Sequence, residues 1–246
     1  MEKTLKQEYQ VRLYEMDHQG KAKLIPLLDY LQDAAGLHAA KLGVAVTDLQ
    51  ADNLTWILSR YHVKIRRYPD AGETVTVETW PSVSKSRFAL RDFEMTGEDG
   101  GVYLQATTSW LVMDLERRRP VSLEGVLPDF PLLEKRALDD DFKPLPAFDG
   151  SDRELSMQVF NQDLDWNLHV NNTVYIRWAV ETVPPEVLRE RRLMEVEVNY
   201  RGEAFYGETI LSRVKNEGGG ESPRFSHQLV NRDTGKELTR LRTAWE

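Results

Sequence analysis

The chain contains no cysteine. That one absence excludes a disulfide framework, thiolate metal ligands and a cysteine nucleophile together. Long apolar runs are missing too: nothing in the 246 residues approaches the roughly 18 consecutive apolar residues a membrane-spanning helix needs. The opening M-E-K-T-L-K-Q-E-Y lacks the apolar segment of a secretory signal, so a cytoplasmic location and no membrane partner are expected. Cations are in deficit, with 32 Lys and Arg against 40 Asp and Glu and a formal net charge of -8. Phosphate neutralisation needs a surplus of basic groups on one face, so nucleic acid is not an expected partner. G-G-G-E-S lacks the Lys-Ser/Thr of a P-loop, and no G-x-S-x-G elbow or redox-cofactor motif occurs, so no cofactor is expected.

What the chain does have is 41% hydrophobic residues, enough for one large core or two ordinary ones, and an internal repeat. Q-V-R-L-Y-E-M-D (10–17) lies over Q-V-F-N-Q-D-L-D (158–165) without a gap. L-I-P-L-L-D-Y-L-Q-D (24–33) then lies over N-T-V-Y-I-R-W-A-V-E (172–181) at the same offset of 148. Further on, V-K-I-R (63–66) meets V-N-Y-R (198–201), G-E-T-V-T-V (72–77) meets G-E-T-I-L-S (207–212), and T-S-W (108–110) meets T-A-W (243–245), now at 135. The first copy therefore holds 13 extra residues between its helix and its next strand.

Each copy reads as one helix followed by antiparallel strands. Residues 172–183 place Ile176, Ala179, Val180 and Val183 at helical spacing, with Arg177 and Glu181 on a narrow polar stripe, and Pro184-Pro185 stops the run. M-E-V-E-V-N-Y (194–200) alternates apolar and polar as a half-buried strand does, and three more strand-like segments follow, separated by G-G-G-E-S-P and R-D-T-G-K. The first copy repeats the scheme, with a helix over 24–35 and a hairpin turn at G-E-D-G-G. Between them, residues 117–155 hold five of the eleven prolines and read as a largely extended connector that packs along a surface. The expected organisation is an N-terminal unit over 1–116, a linker over 117–155 and a C-terminal unit over 156–246.

Only the second copy carries the dense polar stretch D-L-D-W-N-L-H-V-N-N (163–172). Where it has Asp165, Asn167, His169 and Glu203, the first copy has Asp17, Gln19, Lys21 and Tyr68. Helix capping alone would be served by similar residues in both copies, so the asymmetry points to one active site and one degenerate copy. Asn171 and Asn172, at the helix entrance, read as caps. Asp165 and His169 lack third and fourth ligands at suitable spacing, so no metal is expected. The other histidines, 18, 38, 62 and 227, are expected to lack polar companions and read as structural or surface residues. Trp56, Trp80, Trp110, Trp178 and Trp245 read as core.

D-W-N-L-H-V-N-N-T-V-Y-I-R-W (165–178) and, in the first copy, W-I-L-S-R-Y-H-V-K-I-R-R-Y-P (56–69) resemble the acyl-acyl carrier protein (ACP) thioesterases of bacteria and plants, and the resemblance covers almost the whole chain. It implies an α+β fold of two fused hotdog units, each a long helix packed on a curved antiparallel sheet. It implies hydrolysis of fatty acyl-ACP to free fatty acid and ACP, without a cofactor, with Asp165, Asn167, His169 and Glu203 as the catalytic set. Many plant members place a cysteine directly after that glutamate, where this chain has Ala204, so the chemistry here narrows to a carboxylate and a water.

On that basis Glu203 is the expected general base, Asn167 and His169 position the water or polarise the carbonyl, and Asp165 orients one of them. Backbone N–H groups near Asn171 and Asn172 are the expected oxyanion site. A route with Asp165 as nucleophile, through an acyl-enzyme anhydride, stays open. The expected partner is an acidic carrier bearing an acyl-phosphopantetheine, docked on Lys64, Arg66 and Arg67 or on the Arg189–Arg192 cluster, and the chain is expected to be a monomer or homodimer. The alternatives are an acyl-coenzyme A thioesterase with the same residues, a non-catalytic acyl-binding module and, more weakly, a hotdog dehydratase.

Overall fold

The computed structural model describes residues 2–85, 87–218 and 220–246. Contacts divide the chain into two units, Met1–Phe142 and Lys143–Glu246. The first holds strands β1 (Leu5–Gln10), β2 (Leu54–Ile65), β3 (Thr74–Lys85), β4 (Phe88–Gly97), β5 (Val102–Asp114) and the two-residue β6 (Arg119–Pro120), with helices α1 (Leu24–Lys41) and α2 (Val46–Ala51). The second holds β7 (Arg153–Gln158), α3 (Asn172–Glu181), α4 (Pro185–Glu190), β8 (Leu193–Tyr200), β9 (Thr209–Gly218), β10 (Arg224–Asn231) and β11 (Glu237–Trp245).

In the first unit the antiparallel strands run β1-β3-β4-β5-β2, and in the second β7-β9-β10-β11-β8. The helix of each unit lies on its own sheet, α1 against β3 and β1, α3 against β9, β10 and β11. This α+β layout is the hotdog arrangement, once per unit.

The helices form where the apolar face is continuous. Leu27, Leu28, Leu31 and Ala34 of α1 are buried at helical spacing, and Pro26 is tolerated because it falls in the first turn. The helix runs on past the expected end at residue 35 to Lys41, because His38 continues the buried face. It stops where Gly43 takes φ 71°. In the second unit Ile176 and Ala179 are fully buried, α3 ends at Glu181, and Pro185 opens the short α4 at its first position. The G-E-D-G-G turn closes the β4–β5 hairpin, with the Gly97 N–H donating to Gly101 O at 3.0 Å. Of the G-G-G-E-S-P turn, Gly219 lies outside the described residues.

The two offsets hold bond by bond. The Val11 N–H donates to Glu73 O and the Val159 N–H to Glu208 O, both at 2.9 Å. The Arg66 N–H reaches Tyr103 O and the Arg201 N–H reaches Leu238 O, both at 2.8 Å. The extra length of the first copy falls mainly in α1, 18 residues against 10 in α3, and in β2, 12 against 8 in β8. Residues 121–130 pack Val121, Leu123, Val126, Leu127 and Phe130 on the buried Leu42, Val44, Leu49 and Val112 of the first unit. Within the second unit, the Leu145 N–H donates to Asn199 Oδ1 at 2.7 Å.

Three histidines have partners that local sequence does not reveal, correcting the expectation that they have no polar companions. His62 Nδ1 lies 2.7 Å from Asp140 Oδ2. His38 sits between Glu2 O and Arg91 Nη1, at 3.3 and 3.2 Å. His227 Nε2 is 2.9 Å from Thr243 Oγ1. Of the five tryptophans read as core, Trp80, Trp178 and Trp245 are buried, whereas Trp56 and Trp110 are half-buried and meet edge to face.

Candidate active site

The polar stretch before α3 folds into a 3-10 turn over Asn161–Asp163, a tight loop and the helix cap. Three of its polar side chains, Asp163, Asp165 and Asn171, have identifiable structural tasks. Asp163 is buried, its Oδ2 accepts the Phe160 N–H at 2.9 Å, and its Oδ1 receives the Arg177 guanidinium. Asp165 closes the next turn: its Oδ1 accepts the N–H groups of Asn167 at 2.8 Å and His169 at 3.2 Å. The Asp165 N–H donates to His169 O at 2.7 Å, and Leu168 takes φ 64°, a left-handed conformation an ordinary side chain enters only under constraint. Asn171 is the N-cap of α3, its Oδ1 accepting the Thr173 N–H at 3.0 Å.

This loop delivers His169 to a segment that belongs to no strand, residues 201–207. The Val170 N–H donates to Ala204 O at 3.1 Å, the Ala204 N–H donates to the Tyr175 hydroxyl at 2.9 Å, and Ala204 is buried. On either side of that junction stand His169 and Glu203, with Nδ1 and Oε1 3.3 Å apart. The side chains are 36% and 46% exposed, open enough for water to reach both. Phe205 stacks edge-on against the His169 ring with centroids 5.1 Å apart. Trp166, Leu168, Phe205 and Tyr206 are all exposed on these two loops.

Of the four residues expected to form the site, the structure brings His169 and Glu203 into direct contact. Asp165 turns its carboxylate to the loop backbone, and the half-buried Asn167 is tied to it through its N–H. His169 and Glu203 thus offer two donor side chains, short of the three or four that a zinc site uses. The expected oxyanion donor at Asn171 is already engaged, since its N–H donates to Asp163 O at 2.9 Å.

The first unit repeats the loop without the site. Asp17 Oδ1 accepts the N–H groups of Gln19 at 2.8 Å and Lys21 at 3.1 Å, and Gly20 takes φ 75° where Leu168 takes 64°. The Ala22 N–H donates to Pro69 O at 2.9 Å, as Val170 does to Ala204. In place of a histidine, Lys21 Nζ pairs with Asp70 at 2.7 Å. Asp70 stands two positions beyond Tyr68, the residue that aligns with Glu203. A fixed turn that presents a histidine to a carboxylate in one unit, and a lysine–aspartate ion pair in the other, marks a double-hotdog protein whose candidate centre lies in the second unit.

The chain belongs to the acyl-ACP thioesterase family. Residues 2–129 match the acyl-ACP thioesterase N-terminal domain and residues 149–246 its C-terminal domain. It is similar to the chloroplastic palmitoyl-acyl carrier protein thioesterase of Gossypium hirsutum, 30% identical over 97% of this chain and 63% of that one. It is also similar to the chloroplastic dodecanoyl-[acyl-carrier-protein] hydrolase of Umbellularia californica, 26% identical over 98% of this chain and 67% of that one. The chain thus spans about three-fifths of the length of the first of these relatives.

Among solved structures, the 12:0-ACP thioesterase from Umbellularia californica superimposes with a TM-score of 0.86 at 25% identity, covering 99% of this chain and 94% of that one. An acyl-ACP thioesterase from Bacteroides thetaiotaomicron shares the fold, with a TM-score of 0.87 at 23% identity over 99% and 98% of the two chains. No helix among the described residues is long and apolar enough to cross a membrane.

Proposed function

We propose that this chain hydrolyses the thioester of a fatty acyl chain borne on ACP, releasing free fatty acid and the carrier thiol. The observation that carries the reading is the contact of His169 Nδ1 with Glu203 Oε1 at 3.3 Å, held by a turn whose copy in the other unit has neither group. A thioester carbonyl is electrophilic enough that an oriented, deprotonated water and a stabilised oxyanion suffice. Glu203 removes the proton from the water. His169, beside it, orients that water and polarises the carbonyl, and the Asn167 side chain completes the set. Asp165 acts through the backbone, its Oδ1 keeping Asn167 and His169 on the turn; Asp17 does the same in the unit that lacks the His–Glu pair, so this carboxylate has a structural task without attacking, which favours the water route over the anhydride.

Membership of the acyl-ACP thioesterase family supports the carrier-borne substrate. The same reading places the protein in the cytoplasm as a monomer or homodimer, with no nucleic-acid or membrane partner. It is tested by free-acid release from a matched panel of acyl chains on ACP and on coenzyme A. The expected result is a much higher kcat/KM on ACP, with Glu203→Ala lowering kcat by roughly 10²- to 10⁴-fold. A preference for coenzyme A would make the protein an acyl-coenzyme A thioesterase, and no turnover on either would leave an acyl-binding module.

A further inference from the structure

Glu203 sits on an irregular segment, so its aim depends on what fixes that backbone. The peptide groups on the two sides of Ala204 are gripped from opposite directions: the carbonyl by the Val170 N–H at 3.1 Å and the N–H by the Tyr175 hydroxyl at 2.9 Å. The first unit has the carbonyl contact and lacks the other. At the position of Ala204 stands Pro69, which has no N–H, and at the position of Tyr175 stands Leu27, which has no hydroxyl. Donor and acceptor are thus absent together from the unit without the site, although all four positions are buried. A bond needed only to fold the unit would be needed in both.

We infer that Tyr175 is a positioning residue whose hydroxyl, by holding the Ala204 N–H, aims the Glu203 carboxylate at His169. This rests on the role proposed above for Glu203. Tyr175 is well suited to a fixed post. It lies in the first turn of α3, is 2% exposed, and packs edge-on between the rings of Trp178 and Tyr200, with centroids 5.7 and 6.0 Å away. The Tyr200 hydroxyl in turn donates to Asn172 O at 3.0 Å, tying the ring cluster to the helix start. Burial holds the Tyr175 phenol above its ordinary range, so the hydroxyl stays neutral and keeps a lone pair for the amide.

Tyr175→Phe keeps the ring and removes only the acceptor, leaving a buried N–H unpaired. Two readouts apply to this variant: amide hydrogen exchange at Ala204, which needs no activity, and kcat and KM on an acyl-ACP thioester well below the unfolding temperature. We expect exchange at Ala204 to quicken at least tenfold and kcat to fall roughly 10- to 100-fold, the scale of a misplacement of about 1 Å, with KM within twofold. Faster exchange with kcat within twofold of the parent would reduce Tyr175 to a structural role, and unchanged exchange would remove the clamp altogether. A parent protein inactive on ACP and coenzyme A thioesters overturns the proposed function and the catalytic part of this inference, while the exchange result still decides whether Tyr175 holds the segment. Tyr175→Leu, the residue of the first unit, is expected to reproduce the effects of Tyr175→Phe, and recovery of kcat in it would count against the hydroxyl.

Discussion

His227 lies wholly inside the second unit on β10, and burial lowers its pKa to about 3. In the unfolded chain an imidazole titrates near 6.5. Between those values the unfolded state takes up a proton that the folded state refuses, so stability is fully present above about pH 6.5 and is lost as the pH falls towards 3, by up to about 1.4 kcal/mol per pH unit. Urea unfolding at pH 7, 6 and 5 is expected to show this slope, and His227→Gln to flatten it; an unaltered slope in the variant would assign the loss to other groups. At this scale the sequence is legible where residues are near one another or differ between the copies. His169 and Glu203, 34 residues apart, stand out because Lys21 and Tyr68 do not match them. Asp165 does not stand out in this way: Asp17 matches it, and both carboxylates accept the N–H groups of the same turn. The pairing of His62 with Asp140, 78 residues on, leaves no trace in local spacing.

Helix α3 begins on a side-chain cap, Asn171, whereas α1 begins at Lys23 with none. The longer α1 has more buried face to hold it and can do without; the 10-residue α3 leans more on its first turn. Asn171→Ala is therefore expected to lower unfolding stability by about 1 kcal/mol in a denaturant titration, and Asn172→Ala by clearly less. Elements with a strict apolar period, such as β8 and the first turns of both helices, are readable directly. β1 and β7 are not, because only Leu5 of β1 and no residue of β7 is buried, the alternate positions being half-buried at most, which leaves few apolar positions to count. The end of α1 is missed for a related reason, since His38 is polar in the sequence but behaves as core once it meets Arg91 and Glu2.

Across the whole chain two copies of one design carry different side chains at the same loop. Lys21 and Asp70 are 37% and 48% exposed, so their ion pair contributes at most about 1 kcal/mol, and Lys21→Ala is expected to leave turnover within twofold while His169→Ala abolishes it. Comparable losses in both variants, measured as free-acid release, would mean that the first unit also takes part in the reaction. The repeat itself is legible because the offsets of 148 and 135 survive in backbone hydrogen bonds, even though few identities do. Its division at Phe142 and Lys143 depends on contacts such as Arg136 with Asp92, at 3.0 Å, which composition does not announce.

That the Asp17 turn closes as well around Lys21 as the Asp165 turn does around His169 means the loop is a socket, assembled by backbone and one aspartate before any reactive group is fitted. Foldability and the proposed chemistry are then separable in this chain: the scaffold of the turn stands whichever side chains it carries, a lysine in one copy or a histidine in the other.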